Sequence, residues 1–403
     1  KYVMRILQIT NKFPYPPKDG GAIATFNLTR DFSELNHSVT VLAINTPKHY
    51  FNIKELPQKI QKLAEFHTVY IDTSISVFSA LFNLLISSKP YIAVRFMSKK
   101  FKNYLAYLLK HNEYDVIQLE GLYVCPYLTV IRSFSKALVS FRAHNIEHEI
   151  WQRTAYQEKN IFKRLYFKIL ASRLKDFELS YLNKYDVLLP ITSRDAEHFN
   201  KLGNFKPFHV TPTGVNVNQS SGNTMVETLS IFHLGGLDWK PNQEGLIWFV
   251  NKVFPKVVRK YPDTKFYIGG RNSPDWLGKK LEHPNVLYLG EITDATNFIK
   301  SKAIMVVPLF AGSGMRIKIV EGMALGKTII TTSIGEEGIG AVHKENILIA
   351  DDRDQFFANI DLCFSKPEIS KQIGYNAATF AGEHFDSKTI TQGLLNFYEK
   401  HAK

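Results

Sequence analysis

The stretch PLFAGSGMRIKIVEGMALGK, residues 308–327, decides how the rest of the chain is read. An apolar run, Ile304 to Leu309, predicts a strand that ends in a Gly312-Ser313-Gly314 turn. A helix is predicted at once after it, with Arg316 and Lys318 in its first turn and Glu321 one turn on. A glycine turn feeding a helix start offers unpaired backbone N–H groups and the positive end of the helix dipole, which suits a phosphate. Two fixed cations beside that point suggest a ligand with more than one negative charge, such as a diphosphate. Glu321 cannot serve the same phosphate, but it can accept hydrogen bonds from the hydroxyls of a ribose or a hexose. Anion cradle plus hydroxyl acceptor describes a sugar nucleotide, although strand–glycine–helix turns recur throughout α/β proteins.

Working outward, the same strand-then-helix rhythm fills both halves of the 403 residues. Apolar strands are predicted at 4–10, 38–44, 68–71, 115–119, 137–141 and 186–191. Helical patterns lie between most of them, notably 22–35, 99–110 and a long stretch from about 146 to 184. From Val210 to Thr228 the pattern stops in a segment rich in Gly, Asn, Ser and Thr, read as a linker. It then resumes with strands at 229–234, 265–268, 286–289, 304–309, 328–332 and 347–349, and closes with helices near 367–384 and 387–400. This alternation predicts an α/β protein of two doubly wound, Rossmann-like domains. They are read as 1–212 and 213–384, with a linker at about 211–228 and a final helix, 385–403, packing back on the first domain. Doubly wound sheets place ligands at the carboxyl ends of their strands. The loop NKFPYPPKDGGAIATF after the first strand suits such a place, because Gly20 and Gly21 stand just before a helix. No GxGxxG or Walker pattern occurs, so a dinucleotide or P-loop site has no support.

Charge is unevenly spread. Residues 1–212 hold 29 Lys and Arg against 17 Asp and Glu, a net +12, whereas the remaining 191 hold 21 against 20, a net +1. The asymmetry points to an anionic membrane surface as partner of the first half; a nucleic acid would explain the charge too, but no recognition motif supports one. Two clusters sharpen the membrane reading. Lys99, Lys100 and Lys102 sit beside Phe96, Phe101 and Tyr104, and six cations between Lys159 and Lys175 flank an aromatic and aliphatic stripe, Phe162 to Tyr181, that could equally be core. The longest apolar stretch, Val77 to Ile86, is too short to span a bilayer. Cys125 and Cys363, the two cysteines, are read as buried thiols, which excludes a disulfide framework and fits a cytoplasmic protein, peripheral on the inner face of the plasma membrane.

On these residues the chain resembles bacterial glycosyltransferases of the GT-B fold, specifically the retaining enzymes of glycosyltransferase family 4. The resemblance rests on the Gly20-Gly21 loop, VTPTGVNV at 210–217, LGGLDWKPN at 234–242, the 308–327 block and SIGEEGI at 333–339. It implies transfer of a hexose from a UDP- or GDP-linked sugar to a glycan or lipid-linked acceptor, with no cofactor or metal. It also implies residue roles. Glu321 would hold the nucleotide ribose, Lys240 the donor phosphates, and Gly314 and Met315 would offer backbone N–H groups to the diphosphate or sugar. Gly20 and Gly21 would face the diphosphate, and His144 would sit near the transferred sugar. Arg316 and Lys318 would stabilise the departing diphosphate, and Glu291 would border the nucleobase. Two departures matter. The family's first glutamate falls on Ser313, and the arginine that accompanies its lysine falls near Gly236, so Arg316 and Lys318 take over that charge. Glu336 and Glu337 are further candidates for lining the donor.

Three other readings compete. A GT-B sugar-nucleotide epimerase would share the architecture and the donor. A non-catalytic polysaccharide- or membrane-binding relative is suggested by Ser313. His144-x-x-Glu147-His148 spells the pattern of inverted zinc peptidases, but His144 falls at a strand end, ahead of the helix that the pattern needs.

Overall fold

Strands whose residues are apolar on both faces bury both faces, and they do so in parallel sheets covered by helices. The computed structural model, which describes residues 2–217, 225–312 and 314–402, contains two such sheets. The first joins β1 (Arg5–Thr10), β2 (Ser38–Asn45), β3 (Glu65–Tyr70), β4 (Val116–Glu120), β5 (Leu138–Ala143) and β6 (Val187–Pro190) in the order β3-β2-β1-β4-β5-β6. The second joins β7 (Glu227–Gly236), β8 (Lys265–Arg271), β9 (Val286–Gly290), β10 (Lys302–Val307), β11 (Thr328–Thr331) and β12 (Leu348–Ile349) in the order β12-β11-β10-β7-β8-β9. Every pairing within both sheets is parallel. In each, the chain winds outward from one strand, then returns to that strand's other side. The reversals fall between β1 and β4 and between β7 and β10, and such points leave a crevice at the carboxyl ends of the strands. The expected α/β, doubly wound class holds for both sheets.

The chain divides into two compact units. One runs to Gly214 and includes the residues from Ser387 onward; the other is Val215–Asp386. In the first, Leu394, Leu395 and Tyr398 of the Ser387–His401 helix are fully buried with Ile6, Val39, Val116 and Leu189. The second centres on Ile231, Phe249, Phe266, Ile304 and Phe356. Cys125 and Cys363 are buried thiols. Of the segment read as a linker, residues 218–224 lie outside those described, as does Ser313.

One expectation is corrected. The long helix from 146 to 184 is two helices, Glu147–Gln157 and Ile161–Tyr181. Glu158 turns extended, and the Asn160 side chain accepts hydrogen bonds from the N–H groups of Phe162 and Lys163, so a fresh helix starts there. In the basic clusters, the core alternative holds for much of the apolar stripe. Phe101 is fully buried and Leu170, Leu174 and Phe177 are buried, because the apolar sides of both helices pack on the first sheet. Within the Ile161–Tyr181 helix, the large apolar side chains left in water, Ile161, Phe162 and Leu165, belong to its first turns. No helix among the described residues is long and apolar enough to cross a membrane.

Candidate functional site

In the second unit the loops leaving β7 and β10 meet at the strand-order reversal. The helix after β7, Lys240–Trp248, passes so close to the end of β10 that a Cβ on Gly245 would stand 1.7 Å from the Pro308 carbonyl oxygen. From the other side, Thr331 Oγ1 donates to the Val307 carbonyl at 2.7 Å, and Thr332 Oγ1 donates to that of Leu309. These contacts fix where the 308–316 loop begins. The loop then turns through Gly312 and Gly314, whose φ angles of +120° and +78° are left-handed. A Cβ on Gly312 would meet the Arg316 guanidinium at 2.8 Å and the Trp239 ring at 3.0 Å, so the glycine also makes room for both.

Arg316 is the last residue before the Ile317–Ala324 helix, one position earlier than the sequence suggests, and no side chain caps that helix start. Its guanidinium lies over the Trp239 ring, 5.4 Å from the centroid, and donates to the Gly314 carbonyl. Met315 is half-buried between them. Lys318 Nζ contacts Glu321 Oε2 at 2.6 Å, so the cation meant for phosphate and the carboxylate meant for hydroxyls form one half-exposed pair. Lys240 follows Trp239 but extends into water and pairs with Glu244 at 3.5 Å. Glu291 is exposed beyond β9, the edge strand, two strands from β7. Glu336 serves its own turn, accepting from the N–H groups of Gly340 and Ala341 at 2.8 and 2.9 Å, and burial raises its pKa. Lys327, which ends the quoted block, is buried. Its ammonium donates to the carbonyls of Lys300 and Lys302 at 2.7 and 2.8 Å, and burial lowers its pKa to about 8. Its part is to tie the helix end to β10.

In the first unit the reversal is built from buried groups. Gly20 and Gly21 are the first residues of the Gly20–Glu34 helix rather than its approach, because Asp19 caps it by accepting from Ala22 N at 3.0 Å. Lys12 Nζ lies 2.5 Å from that carboxylate and would be 3.1 Å from a Cβ on Gly21. At the end of β4, Glu120 is buried. Its Oε2 lies 2.6 Å from His144 Nε2, 3.6 Å from Arg142 Nη1 and 3.2 Å from the Thr25 hydroxyl. Gln8 and Gln118 donate to the other oxygen. Burial pushes the Glu120 carboxyl up, but Arg142, His144 and Gln118 outweigh it and bring it down to about 2. Burial lowers the His144 pKa against the pull of Glu120, so its imidazole is neutral near pH 7. His144 sits between β5 and the Glu147–Gln157 helix. His148, on that helix, pairs instead with Glu178 at 2.5 Å, and Glu147 accepts from the Tyr123 hydroxyl at 2.8 Å. The zinc-peptidase pattern is thus split between two separate hydrogen-bonded groups, and among the described residues no three His, Cys, Asp or Glu converge as metal ligands.

The sequence does not point to Glu120, and it reads Trp239 as a core or cleft-wall aromatic. An acidic residue ending the apolar strand VIQLE, directly before a glycine, was the available signal for the first. For Trp239 the signal was weaker, an aromatic beside the lysine already chosen.

With this geometry, the relationships of the chain are informative. Residues 228–365 match the family described as glycosyl transferases group 1. An uncharacterized 44.6 kDa protein in the cps region of Klebsiella pneumoniae is 26% identical, over 97% of this chain and 99% of its own length. Among solved structures, Anabaena HepE in complex with UDP superposes with a TM-score of 0.68 at 13% identity, covering 98% of this chain and all of its own. Sucrose-phosphate synthase from Thermosynechococcus elongatus does so with a TM-score of 0.70 at 15% identity, covering 98% of both chains. The chain has the GT-B fold. Both of its sheets keep the strand order described above, and the family match falls on the unit that carries Arg316, Lys318 and Glu321.

Proposed function

We propose that the protein is a glycosyltransferase that moves a hexose from a UDP- or GDP-linked sugar to a glycan or lipid-linked acceptor, retaining the anomeric configuration and needing no metal. The observation that carries this is the gathering of Arg316, Trp239 and the Lys318–Glu321 pair around an uncapped helix start at the β7/β10 reversal. In this reading the diphosphate takes the helix N-terminus and the Arg316 charge, with Gly314 and Met315 supplying N–H groups. Lys318 shifts from Glu321 to phosphate, and Glu321 is released to the ribose hydroxyls. Lys240 swings from Glu244 to the same diphosphate, and Gly20 and Gly21 are further donor-binding residues. HepE was crystallised with UDP, which supports a uridine donor here. The cps-region relative supports a place in polysaccharide assembly.

The chemistry asks little of a protein base. In a retaining transfer of this kind, the acceptor hydroxyl attacks from the face that the diphosphate leaves, and the departing phosphate oxygen takes its proton. What the protein supplies is charge stabilisation and placement. His144, whose Nε2–H is held by the Glu120 carboxylate, offers Nδ1 as an acceptor to a hydroxyl of the transferred sugar. The basic first unit takes the acceptor, at the cytoplasmic face of an anionic membrane.

The test is thermal stabilisation by UDP, GDP, ADP and CMP, repeated on Glu321→Ala and Arg316→Ala. A shift of several degrees with one nucleotide, lost in both variants, is expected and names the base. No shift with any nucleotide would overturn the reading. One observation favours an epimerase as second reading, namely a carboxylate beside His144. Glu120 is, however, engaged by Arg142, Thr25 and both glutamines, which suits a positioning group better than a proton acceptor. Deuterium uptake from solvent into the sugar would decide for the epimerase.

A further inference from the structure

The Val77–Ile86 helix is built against the usual logic of a surface helix. Phe78, Leu81, Phe82, Leu85 and Ile86 recur at helical spacing on one face, and that face is exposed, Phe78 to 88% and Leu85 to 85%. None of the helix's described side chains is buried. Its anchors are at the ends. Arg95 donates to the Thr73 carbonyl and the Tyr91 hydroxyl accepts from Ser76 N at 3.2 Å before the first turn. Arg173, from the Ile161–Tyr181 helix, donates to the Asn83 and Leu84 carbonyls at 3.3 and 2.7 Å in the last. The same helix that supplies Arg173 begins with Ile161, Phe162 and Leu165 exposed, Phe162 to 81%. Monomeric proteins rarely leave such apolar surface in water without a use.

Charge identifies the occupant. Residues 73–112 contain no Asp or Glu, but carry Lys89, Arg95, Lys99, Lys100, Lys102 and Lys110. Residues 159–175 likewise contain none, with six Lys and Arg. A second copy of the chain would bring like charges together across a symmetric contact. A nucleic acid would use the cations but leave the phenylalanine and leucine face in water. An anionic bilayer surface uses both, since the apolar face enters the headgroup and acyl boundary while lysines meet lipid phosphates. At ten residues the helix is too short to span, so it lies in the plane of the interface.

We infer that the Val77–Ile86 helix, with the first turns of the Ile161–Tyr181 helix, is an insertion surface that docks the first unit on an anionic lipid membrane. It deepens the acceptor side of the proposed function, yet its test needs neither nucleotide nor turnover, so either reading can fail alone.

The experiment is co-sedimentation of the full chain with phosphatidylcholine vesicles, with or without phosphatidylglycerol. The variants are Phe78→Ser/Leu85→Ser, Phe162→Ser and Lys163→Glu/Arg164→Glu. Binding is expected with the anionic vesicles and is weakened about tenfold or more by the paired apolar change, since removing two inserted side chains forfeits that much. Phe78, Leu85, Phe162 and Lys163 are exposed and Arg164 is half-exposed, so melting temperatures should stay close to the wild-type value. Phe82→Trp provides a second readout, with its fluorescence shifting to the blue on anionic vesicles when the face inserts. Equal binding by wild type and Phe78→Ser/Leu85→Ser overturns the proposal, as does wild-type binding to neither vesicle. A dimer in solution that the paired apolar change disperses, without vesicle binding, would assign the face to a second copy instead.

Discussion

At the β1/β4 reversal the polar groups are buried and engaged with one another, whereas at the β7/β10 reversal they stand half-exposed on a loop and the helix that follows it. Glu120 meets a histidine, an arginine, a threonine and two glutamines inside the protein, and the Tyr398 hydroxyl donates to Gln118 at 2.6 Å from the last helix. Arg316 has a ring face, a loop carbonyl and glycines for company, and the Lys318–Glu321 pair is partly in water. The same topology therefore yields two kinds of site. The first holds its groups at fixed positions through folding energy. The second keeps its charges exchangeable, so that a ligand can take partners already there.

This contrast breaks most easily at Glu120. Replacing it by alanine leaves the Arg142 charge buried without its carboxylate, and should cost about 3–5 kcal/mol in chemical denaturation. Because the folded carboxyl titrates at about 2, below its ordinary 4.5, its contribution is present above 4.5 and is lost as the pH falls through about 2. A loss under about 1 kcal/mol would show that the pair's desolvation cancels its attraction, and the rigid side of the comparison would fail. Next comes Gly245→Ala, whose methyl would collide with the Pro308 carbonyl. It should destabilise the second unit by about 1–3 kcal/mol and weaken nucleotide binding as well, because it displaces the loop that carries Arg316.

Arg316→Ala and Glu321→Ala sharpen the other side. Each should lower nucleotide affinity in calorimetry by about tenfold to a hundredfold, at about 1.4 kcal/mol per decade, while moving the melting temperature of the unliganded protein very little. A large stability loss in either would mean that the second reversal is as locked as the first. The smallest effect is at Glu147. Burial raises its carboxyl to about 7, above its ordinary 4.5, so the folded state binds the proton more tightly. Stability is then full below 4.5 and falls as the pH rises through about 7. Glu147→Gln should flatten that decline by about 1–2 kcal/mol, read from melts between about pH 5 and pH 8.

The sequence carried the parallel sheets well because their signal is local. Short apolar runs bounded by turns mark each strand, and ends moved by a few residues at most. The break at Asn160 was harder to see, since an apolar spacing that persists across residues 158–160 outweighs one capping side chain. Of the site, the 308–327 block was legible because loop, cations and carboxylate are neighbours in sequence. The pairing of Glu120 with His144 spans two strands, and that of Trp239 with Arg316 spans two loops far apart in the chain, so no periodicity announces either. Exposure of Phe78 and burial of Phe101 were likewise invisible, since both sit among lysines or apolar residues of similar pattern and only packing separates them.

The Ser387–His401 helix has a consequence for the birth of the protein. Residues 215–386 are contiguous, and that unit can close as soon as its own residues have left the ribosome. The sheet made before it cannot. Its Ile6, Val39, Val116 and Leu189 share a core with Leu28 and Phe32, but that core is complete only with Leu394, Leu395 and Tyr398, which follow the whole of residues 215–386. Of the two units, the one begun earlier is therefore finished later.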